Sequence, residues 1–396
     1  MTLAIDGLSK RYGDEYALDN VSLSVDSSEL VGVLGPSGCG KTTLVQTIAG
    51  HVTPSAGTVT LRGEAVTERP PEHRQVGVVF QQSTLFPHMT VAENVAYGLE
   101  ATGMGTDRRD ERVTEYLDLV GLDGRDEAYP AELSGGQQRR VELARALAPQ
   151  PDVLLLDEPL SALDRSLRTR LRDEIGRIQR QTGVTTIFVT HDQEEAMALA
   201  DRLVVMHDGQ VAGIGQPRQL YESPPNTFVA GFLGRTNTLT GSIDGEGPAT
   251  LSTAGASLNI DRVTTSDATR AVTVNVRPRH LSFRPRENGE DTDACSAGGT
   301  AVFTVTVSGV IDRGTKYDIV CRTDGTDELI VECRSEPPAV GTSWGLSIPA
   351  EDLLVFDAET GERIPIAVSG PDRPADGQSE GAGGAAEEDA LSSDVR

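Results

Sequence analysis

The apolar positions of this chain form short continuous runs as well as alternating patterns. One such run, Leu30-Val31-Gly32-Val33-Leu34, is typical of a strand that is buried on both faces. Residues 43–49 then carry apolar side chains at helical spacing, and Gly50 stands where that helix would end. The pattern therefore predicts a strand, a glycine-rich loop and a helix in immediate succession.

The rest of the first 235 residues predicts a mixed α/β fold. Ahead of the loop, alternating positions between residues 3 and 25 favour antiparallel strands. Residues 84–150 have helical periodicity, which predicts a helical subdomain with a capping box at Thr90 and Glu93 and a further helix from Asp110 to Val120. Apolar runs predict further strands at 57–63, 75–80, 153–158 and 185–190.

The pattern changes after Gly234. Short β-type runs separated by Gly, Asp and Pro predict a small β-barrel domain over residues 236–366. Its predicted strands include 271–276, 301–310, 317–321 and 329–333. From about residue 367 to residue 396 the chain is rich in Gly, Ala, Ser, Pro and acidic residues, which predicts a disordered acidic tail.

The loop after the first buried strand carries the clearest chemistry. Its sequence is Gly35-Pro36-Ser37-Gly38-Cys39-Gly40-Lys41-Thr42, followed by Thr43, and it matches G-x-x-x-x-G-K-[ST]. Glycines let backbone N–H groups point at phosphate oxygens, and the helix start adds its positive dipole end. Lys41 would reach the β- and γ-phosphates, and Thr42 would offer its hydroxyl to Mg²⁺. The motif and its flanks together predict a nucleoside triphosphate site.

Polar side chains follow three of the predicted buried strands. Gln81 follows the strand at 75–80, Asp157 and Glu158 end the strand at 153–158, and His191 follows the strand at 185–190. Open α/β sheets bind ligands at the carboxyl ends of their strands. If each were considered alone, Gln81 would be interpreted as an ordinary residue at a strand end and His191 as a structural histidine. The acidic pair Asp157 and Glu158 would be interpreted as a helix cap. Because a phosphate loop is also present, we interpret these four side chains together as one site, with Asp157 as a metal ligand and the other three as catalytic residues.

An aromatic residue precedes the phosphate loop. Tyr12 lies in a predicted turn, Lys10-Arg11-Tyr12-Gly13. It either stacks on the adenine ring or anchors the turn, and the sequence leaves both readings open.

A second cluster of motifs carries a family resemblance. Leu133-Ser134-Gly135-Gly136-Gln137 opens a predicted helix from Gln138 to Leu147, and Ser161-Ala162-Leu163-Asp164 follows the acidic pair. With these motifs in order, residues 1 to about 235 resemble the ATP-binding subunits of ABC transporters, that is, a P-loop NTPase fold with a helical subdomain. One departure is Gln138-Arg139-Arg140, where many relatives alternate Arg and Gln. We expect little consequence from it.

The C-terminal part shows a weaker resemblance. The segment Arg277-Pro278-Arg279-His280-Leu281 is similar to the strand entry of the C-terminal barrel of importer ATPases, often called the TOBE domain. The resemblance covers about 236–366. Such barrels regulate transport or bind an oxyanion in some members of the family.

The resemblance implies ATP and Mg²⁺ as cofactors and gives the strand-end residues roles. Asp157 would hold Mg²⁺ through water, with Thr42 as a further ligand. Glu158 would accept a proton from the attacking water or orient it. His191 would sense the γ-phosphate. Gln81 would reach the metal or its water and link metal occupancy to the partner.

The resemblance also implies that the site needs two chains. Ser134 and Gly136 lie at a helix start, where an anion site for a γ-phosphate can form. In the family, that phosphate belongs to the nucleotide of the other protomer. The residues implied in this contact are Ser134, Gly135, Gly136, Gln137 and Asp164. Because the chain has one phosphate loop and one such helix start, we predict a dimer, most simply of two identical chains.

The composition limits where the protein works. No apolar stretch approaches the length of a membrane span, and the N-terminus lacks a signal peptide's apolar segment. We therefore expect a soluble, cytoplasmic chain that contacts a membrane only through a partner, and the resemblance implies a peripheral position on the cytoplasmic side of the cell membrane. The four cysteines lack C-x-x-C spacing, so neither a zinc site nor a disulfide framework is indicated. Cys39 is interpreted as a small loop residue.

The charge of the chain is strongly acidic, with a formal net charge of −25. Of its 35 basic residues only Lys10, Lys41 and Lys316 are lysine, which leaves 32 arginines. An acidic surface nearly free of lysine is typical of a protein from concentrated salt, where self-repulsion is screened. An acidic face for a basic partner is the alternative, although the charge is spread along the whole length. Nucleic acid is excluded as a partner, since it requires basic patches.

This interpretation makes a prediction about salt. If the acidic surface is an adaptation, the melting temperature should rise as ionic strength increases from dilute buffer into the molar range, because the salt screens self-repulsion. Calorimetric melting curves in a KCl series provide the measurement. A melting temperature that stays flat across the series would count against the adaptation.

Taken together, the sequence predicts the ATPase of an ABC importer. The expected partners are a second ATPase chain, a membrane permease and, indirectly, an extracellular solute-binding protein. Exporter subunits and the soluble ABC ATPases of translation or DNA repair remain alternatives; the predicted barrel argues against the first and the single cassette against the second. The segments 70–74 and 85–91 are most similar to subunits for polyamines, iron(III), thiamine or oxyanions such as molybdate or tungstate, with sugars as runner-up.

Overall fold

The computed structural model describes residues 1–161, 163–245, 247–253, 256–263, 269–285, 300–323 and 328–367. The predicted acidic tail therefore lies outside the described residues from residue 368 onward. Within the described ranges, no helix is long and apolar enough to cross a membrane. The last of their α-helices ends at Phe232, and β-strands dominate from Asn237 onward.

Strands and helices are interspersed in the first part of the described chain. Its strands are β1 (Leu3–Tyr12), β2 (Glu15–Val25), β3 (Leu30–Leu34), β4 (Ala56–Leu61), β5 (Glu64–Ala65), β6 (Val76–Val79), β7 (Val153–Asp157), β8 (Thr185–Val189), β9 (Arg202–His207) and β10 (Gln210–Gly215). Its helices are α1 (Lys41–Ala49), α2 (Val91–Ala101), α3 (Thr106–Leu119), α4 (Gly135–Leu147), α5 (Arg165–Thr182), α6 (Gln193–Leu199), α7 (Pro217–Glu222) and α8 (Thr227–Phe232).

A six-stranded sheet in the order β10-β9-β3-β8-β7-β6 forms the centre of this part. Its strands run parallel except for β10, which pairs antiparallel with β9 at the edge. The carboxyl ends of parallel strands meet at one edge of a sheet. The residues that follow β3, β6, β7 and β8 are therefore brought together at that edge.

The central strands are buried on both faces, which explains their continuous apolar sequences. In β7, Val153 and Leu155 pack into a core shared with β1, β2 and α1. The alternate residues Leu154 and Leu156 pack into a second core shared with α2, α3, α4 and α5. The P-loop NTPase α/β fold predicted from the sequence is confirmed.

An antiparallel sheet in the order β2-β1-β4-β5 covers one side of the parallel sheet. The antiparallel strands predicted before the phosphate loop are thus present, and they are longer than the apolar pattern indicates. The predicted turn around Tyr12 is instead the end of β1, which continues to Tyr12 and pairs it with Glu15. The hairpin turns at Gly13, whose φ of 60° favours glycine.

Helices occupy the segment where helical periodicity was found. The capping box of α2 is confirmed: the Thr90 hydroxyl accepts a hydrogen bond from the Glu93 N–H, and the Glu93 carboxylate accepts one from the Thr90 N–H. Helix α3 begins four residues before the predicted Asp110, because its polar first turn, starting at Thr106, carries no apolar periodicity. Helix α4 likewise begins at Gly135 rather than at Gln138, since Ser134 caps it.

The second part of the described chain consists mainly of strands, as predicted. They are β11 (Asn237–Asp244), β12 (Gly247–Thr253), β13 (Ala256–Val263), β14 (Thr269–Val276), β15 (Ser282–Arg284), β16 (Thr300–Asp312), β17 (Tyr317–Thr323), β18 (Glu328–Cys333), β19 (Ser343–Pro349), β20 (Leu354–Asp357) and β21 (Ile366–Ala367). They form two antiparallel sheets in the orders β20-β14-β11-β12-β13-β21 and β15-β19-β16-β17-β18. The two sheets share one apolar core, in which each buries its apolar face.

A buried arginine joins the two parts. Arg277, at the end of β14, is 2% exposed and donates hydrogen bonds to the carbonyl oxygens of Ala230 and Gly234, at 2.8 and 2.6 Å. Its guanidinium also lies 4.2 Å from the ring centre of Tyr221 in α7. In the segment 277–281, Pro278–His280 forms a short 3₁₀ turn that leads into β15. The segment thus contributes to the junction as well as to the start of a strand.

Candidate nucleotide site

The phosphate loop lies between β3 and α1, as predicted, and two of its glycines are required by their surroundings. Gly40 has a φ of 101°, and a Cβ there would lie 2.2 Å from the carbonyl oxygen of Ala17. A Cβ at Gly35 would lie 2.4 Å from the Cys39 sulfur and 2.5 Å from the Met206 carbonyl oxygen. No side chain fits at either position, so the loop keeps its backbone close to the ends of β2 and β9.

Lys41 lies at the first position of α1 and is 6% exposed. Its ammonium group donates hydrogen bonds to the carbonyl oxygens of Gly35 and Pro36, at 2.8 and 2.9 Å. These bonds fold the side chain back over its own loop. The structure thus fixes a positive charge inside the phosphate loop, next to the positive end of the helix dipole.

Cys39 is buried within the same loop. Burial raises the pKa of its thiol, although the charge of Lys41 opposes the shift. A thiol with a raised pKa is a poor nucleophile at neutral pH. This agrees with its interpretation as a small loop residue.

Asp157 ends β7 and faces the start of α1. It is 5% exposed, and one of its carboxylate oxygens, Oδ1, is buried with no hydrogen-bond partner among the described residues. Burial, and then the neighbouring charge of Glu158, raise the pKa of Asp157, while Thr42 and Lys41 oppose the shift. A buried carboxylate oxygen without a partner, beside a threonine hydroxyl, suits a hard divalent cation such as Mg²⁺.

Glu158 is the centre of a group of three polar side chains. Its Oε2 accepts a hydrogen bond from Gln81 Nε2 at 3.1 Å and lies 3.3 Å from His191 Nδ1. These side chains come from the ends of three different strands, β6, β7 and β8. The structure therefore brings together the three side chains that the sequence predicts to be catalytic.

The backbone of Glu158 is strained. Its φ is 45°, in the left-handed region that non-glycine residues avoid, at a cost on the order of 1–3 kcal/mol. The Glu158 N–H donates a 3.0 Å hydrogen bond to the carbonyl oxygen of Val189 in the neighbouring strand β8. Ser161 adds a 3.1 Å hydrogen bond from its hydroxyl to the Glu158 carbonyl oxygen. These bonds hold the residue in the conformation that places its carboxylate beside Gln81 and His191.

These residues line one cleft of about 460 Å³. Most of its lining was predicted: Ser37, Gly38, Gly40, Lys41, Thr42, Thr43, Gln81, Glu158 and His191. Ala17 also lines the cleft and was missed, since only the folding of β2 against the loop brings it there. The cleft combines a phosphate loop, the hydroxyl of Thr42 and a carboxylate that can act as a base, whereas the buried Asp157 is not among its lining residues.

The residues Ser134, Gly135, Gly136 and Gln137 are not among those that line the cleft. They form the start of α4, where the Ser134 hydroxyl accepts a 3.3 Å hydrogen bond from the Gln137 N–H and the Gln137 side-chain oxygen accepts one from the Ser134 N–H at 2.9 Å. Ser134 and Gly135 are exposed. Gly136 is buried, so the chain presents Ser134 and Gly135 at its surface, outside the lining of its own cleft.

Of the other predicted binding residues, Gly35, Pro36 and Cys39 of the phosphate loop also lie outside the lining of the cleft, and so do Tyr12 and Asp164. Tyr12 is 53% exposed, and the Lys10 ammonium lies 5.1 Å from the centre of its ring. Asp164 caps α5, where its Oδ1 accepts hydrogen bonds from the N–H groups of Ser166 and Leu167, both at 3.0 Å. The Leu167 N–H, followed by the Ser166 hydroxyl, lowers the pKa of Asp164. Ala162, in the same motif, lies outside the described residues.

The fold and the cleft define the chain as a P-loop NTPase. A family model described as "ABC transporter" matches residues 18–161, and a model described as "TOBE domain" matches residues 274–356. The chain belongs to the ABC transporter family, as an ATP-hydrolysing cassette followed by a TOBE domain.

Several curated relatives cover most of the chain. The spermidine/putrescine import ATP-binding protein PotA of Pseudomonas fluorescens is 48% identical over 72% of this chain and 79% of its own length. The sulfate/thiosulfate import ATP-binding protein CysA 2 of Chromobacterium violaceum is 48% identical over 90% of this chain and 96% of its own length. The Fe(3+) ions import ATP-binding protein FbpC of Brucella abortus is 44% identical over 73% of this chain and 82% of its own length.

Among solved structures, the dimeric ATP-binding cassette MJ0796 bound to ADP and Pi aligns with a TM-score of 0.49 and 31% identity, over 55% of this chain and 99% of its own.

Proposed function

We propose that this chain is the ATPase subunit of a membrane importer and that it hydrolyses ATP at a site shared by two copies. The grouping of Gln81, Glu158 and His191 around one carboxylate oxygen, beside the phosphate loop, carries the proposal. Relatives that are 44–48% identical are named as import ATP-binding proteins. The proposed division places the cassette at 1–235, with its helical subdomain at about 84–150, and the TOBE domain at 236–366.

The phosphate loop would bind the triphosphate. Lys41 exchanges its bonds to the Gly35 and Pro36 carbonyls for bonds to phosphate oxygens, which carry full charges and form stronger hydrogen bonds. The loop N–H groups and the start of α1 add further donors. This arrangement holds the nucleotide before any chemistry takes place.

Thr42 and Asp157 are the residues that would hold Mg²⁺, and Gln81, which lines the same cleft as Thr42, would contact the metal or its water. When bound, Mg²⁺ neutralises charge on the phosphates. Because the pKa of Asp157 is raised in the structure, the carboxylate is easier to protonate than an exposed one. Metal affinity should therefore fall as the pH drops toward that raised pKa.

Glu158 would act on the attacking water. Its carboxylate accepts the proton or orients the water, while Gln81 and His191 fix its position through Oε2. A residue held by two partners and a strained backbone is preorganised for one geometry, and that lowers the entropic cost of reaching the transition state.

The second copy supplies what a single chain lacks at its own cleft. Ser134 and Gly135 at the start of α4 are exposed, and neither lines the cleft of its own chain. A partner chain facing it could place Ser134, Gly135, Gly136 and Gln137, with Asp164 nearby, against the γ-phosphate. ATP would then hold two chains together, and hydrolysis would release them.

The transported solute is proposed to be a polyamine, iron(III), thiamine or an oxyanion, with a sugar as the alternative. The relatives named above act for three different solutes at nearly equal identity, so specificity is expected to lie in the permease and the binding protein. The permease would bind the cassette on the cytoplasmic side of the membrane. The acidic, lysine-poor composition further supports a cell with high internal salt.

An uptake experiment tests this assignment. Deleting the gene should abolish high-affinity uptake of labelled spermidine, iron(III), thiamine, sulfate or molybdate, each assayed separately, because the importer would lose its energy source. The unmodified gene should restore that uptake, and the Glu158→Gln gene should not. Loss of maltose uptake alone would favour the sugar alternative, and unchanged uptake of all these solutes would contradict the importer assignment.

A further inference from the structure

Arg139 is a residue of α4, the helix that Ser134 caps, and its side chain is buried against the loop that carries Gln81. It is 7% exposed, which is unusual for an arginine. Its Nη2 donates a 2.8 Å hydrogen bond to the carbonyl oxygen of Gln81, and its Nη1 donates to the carbonyl oxygen of Phe80. The guanidinium fork thus binds two successive backbone carbonyls just past the end of β6.

A buried carboxylate completes this contact. Glu142, one helical turn further along α4, is 2% exposed and lies 2.7 Å from Arg139 Nη1 through its Oε2. Its other oxygen, Oε1, accepts a 2.7 Å hydrogen bond from the Thr84 N–H. Both charged groups are therefore paired with each other and with backbone groups of the loop 80–84, as a buried ion pair requires.

A third residue on the same face of α4 extends the contact. Arg145 donates a 2.8 Å hydrogen bond to the Thr84 carbonyl oxygen and a second bond to its hydroxyl. Arg139, Glu142 and Arg145 are spaced by three residues, so they follow one face of the helix. Helix α4 and the loop 80–84 are consequently held as one unit.

The loop in turn positions a side chain of the site. The Gln81 backbone is bound by Arg139, and its side-chain Nε2 donates to Glu158 Oε2 at 3.1 Å. A continuous chain of hydrogen bonds thus connects α4, Arg139, Gln81 and Glu158. From the sequence, the run Gln138-Arg139-Arg140 is expected to have little consequence, but the structure places Arg139 at the centre of this connection.

We propose that Arg139, paired with Glu142, is a positioning residue for hydrolysis: it fixes the Gln81 backbone so that the Gln81 side chain holds the Glu158 carboxylate. Because Ser134 caps the same helix, the Arg139–Glu142 pair also couples the position of Gln81 to the position of the helix start that is proposed to face a partner chain. The inference rests on the proposed role of Gln81 beside Glu158. It assigns to Arg139 no contact with nucleotide.

The test uses Arg139→Lys in the full chain. Lysine keeps the positive charge that Glu142 needs, but a single nitrogen cannot replace a fork that spans two carbonyls. We expect kcat for ATP hydrolysis to fall about tenfold, since small misplacements of a positioning group have large effects on rate. KM for ATP should stay within about twofold, because Lys41 and the loop amides hold the phosphates.

Arg140→Lys is the matched control. Arg140 is the next residue of the same helix and lies 2.7 Å from Glu174 of α5, away from the loop 80–84. The same substitution there should leave both kcat and KM near the parental values. Melting temperatures of both variants show that the comparison is made between folded proteins.

A double-mutant cycle with Gln81→Ala separates positioning from a general structural effect. In the Gln81→Ala background, Arg139→Lys should change kcat by less than about twofold, because the side chain through which Arg139 acts is gone. An undiminished tenfold effect in that background would overturn the inference. So would a normal kcat for Arg139→Lys alone, or a loss confined to KM.

The single variants separate this inference from the proposed role of Gln81. If Gln81→Ala by itself leaves kcat unchanged, the proposed role of Gln81 fails. If Gln81→Ala lowers kcat but Arg139→Lys does not, only the present inference is refuted. If Arg139→Lys fails to fold, a variant that combines Arg139→Gln with Glu142→Gln takes its place, because it removes both buried charges together. That variant enters the same cycle with Gln81→Ala, and the same changes in kcat are expected.

Discussion

The Glu158→Gln variant should hydrolyse ATP at least a hundredfold more slowly than the parent protein. Glutamine keeps the shape and the hydrogen-bonding reach of glutamate but loses the negative charge and nearly all of the basicity. General base catalysis contributes about 10²- to 10⁴-fold to a rate, so the loss should fall in that range. The release of phosphate under saturating ATP and Mg²⁺ is the measurement.

Binding of ATP should survive this substitution. The phosphates are held by Lys41 and the loop amides, and the metal by Thr42 and Asp157, none of which changes. Removing a negative charge near the γ-phosphate should strengthen binding. Equilibrium dialysis with labelled ATP provides the control, and a variant that hydrolyses ATP at the parental rate would refute the role of Glu158.

The Lys41→Ala variant should lose both nucleotide affinity and hydrolysis. Lys41 is a buried charge fixed inside the phosphate loop, and each hydrogen bond to a charged group contributes about 1.5–3 kcal/mol. A loss of this size corresponds to roughly a 10- to 100-fold weaker affinity for ATP. Hydrolysis should fall further, because the same charge stabilises the transition state.

Lys316→Ala is the matched control for this substitution. Lys316 pairs with Glu332 at 2.6 Å in the C-terminal part of the chain, far along the sequence from the phosphate loop. Its removal should leave ATP binding and hydrolysis near the parental values. Parental hydrolysis by purified Lys41→Ala would rule out the assignment of the phosphate loop.

Much of the nucleotide site could be predicted from the sequence because its residues stand at fixed places in a simple pattern. Asp157 and Glu158 follow a continuous apolar run, and such a run predicts a strand that is buried on both faces. Parallel strands carry the residues after them to one edge of the sheet. The convergence of Gln81, Glu158 and His191 follows from that rule, without any knowledge of side-chain distances.

Other features depend on contacts that no local pattern encodes. Gly40 is required because the Ala17 carbonyl approaches it from another strand. In the sequence, Arg139 looks like one of several arginines on a helix surface. Only the packing of α4 against the loop 80–84 shows that it is buried. The predicted starts of α3 and α4 are wrong because polar or glycine-containing first turns lack apolar periodicity.

The sites of Ser134 and Tyr12 remain predictions because they concern a partner and a ligand. The structure shows Ser134 as a helix cap and Tyr12 as an exposed strand end. Ser134 is the more informative of the two, since the proposal that two chains share each nucleotide depends on it.

The oligomeric state of Glu158→Gln in the presence of ATP tests that proposal most directly. On a sizing column with ATP and Mg²⁺, the variant should elute as a dimer, and without ATP as a monomer or a looser dimer. Adding Ser134→Arg, which fills the exposed start of α4 with a large side chain, should abolish the ATP-dependent dimer while leaving ATP binding in place. A Glu158→Gln protein that binds ATP yet never dimerises, at any salt concentration at which it is folded, would contradict a nucleotide site shared between two chains.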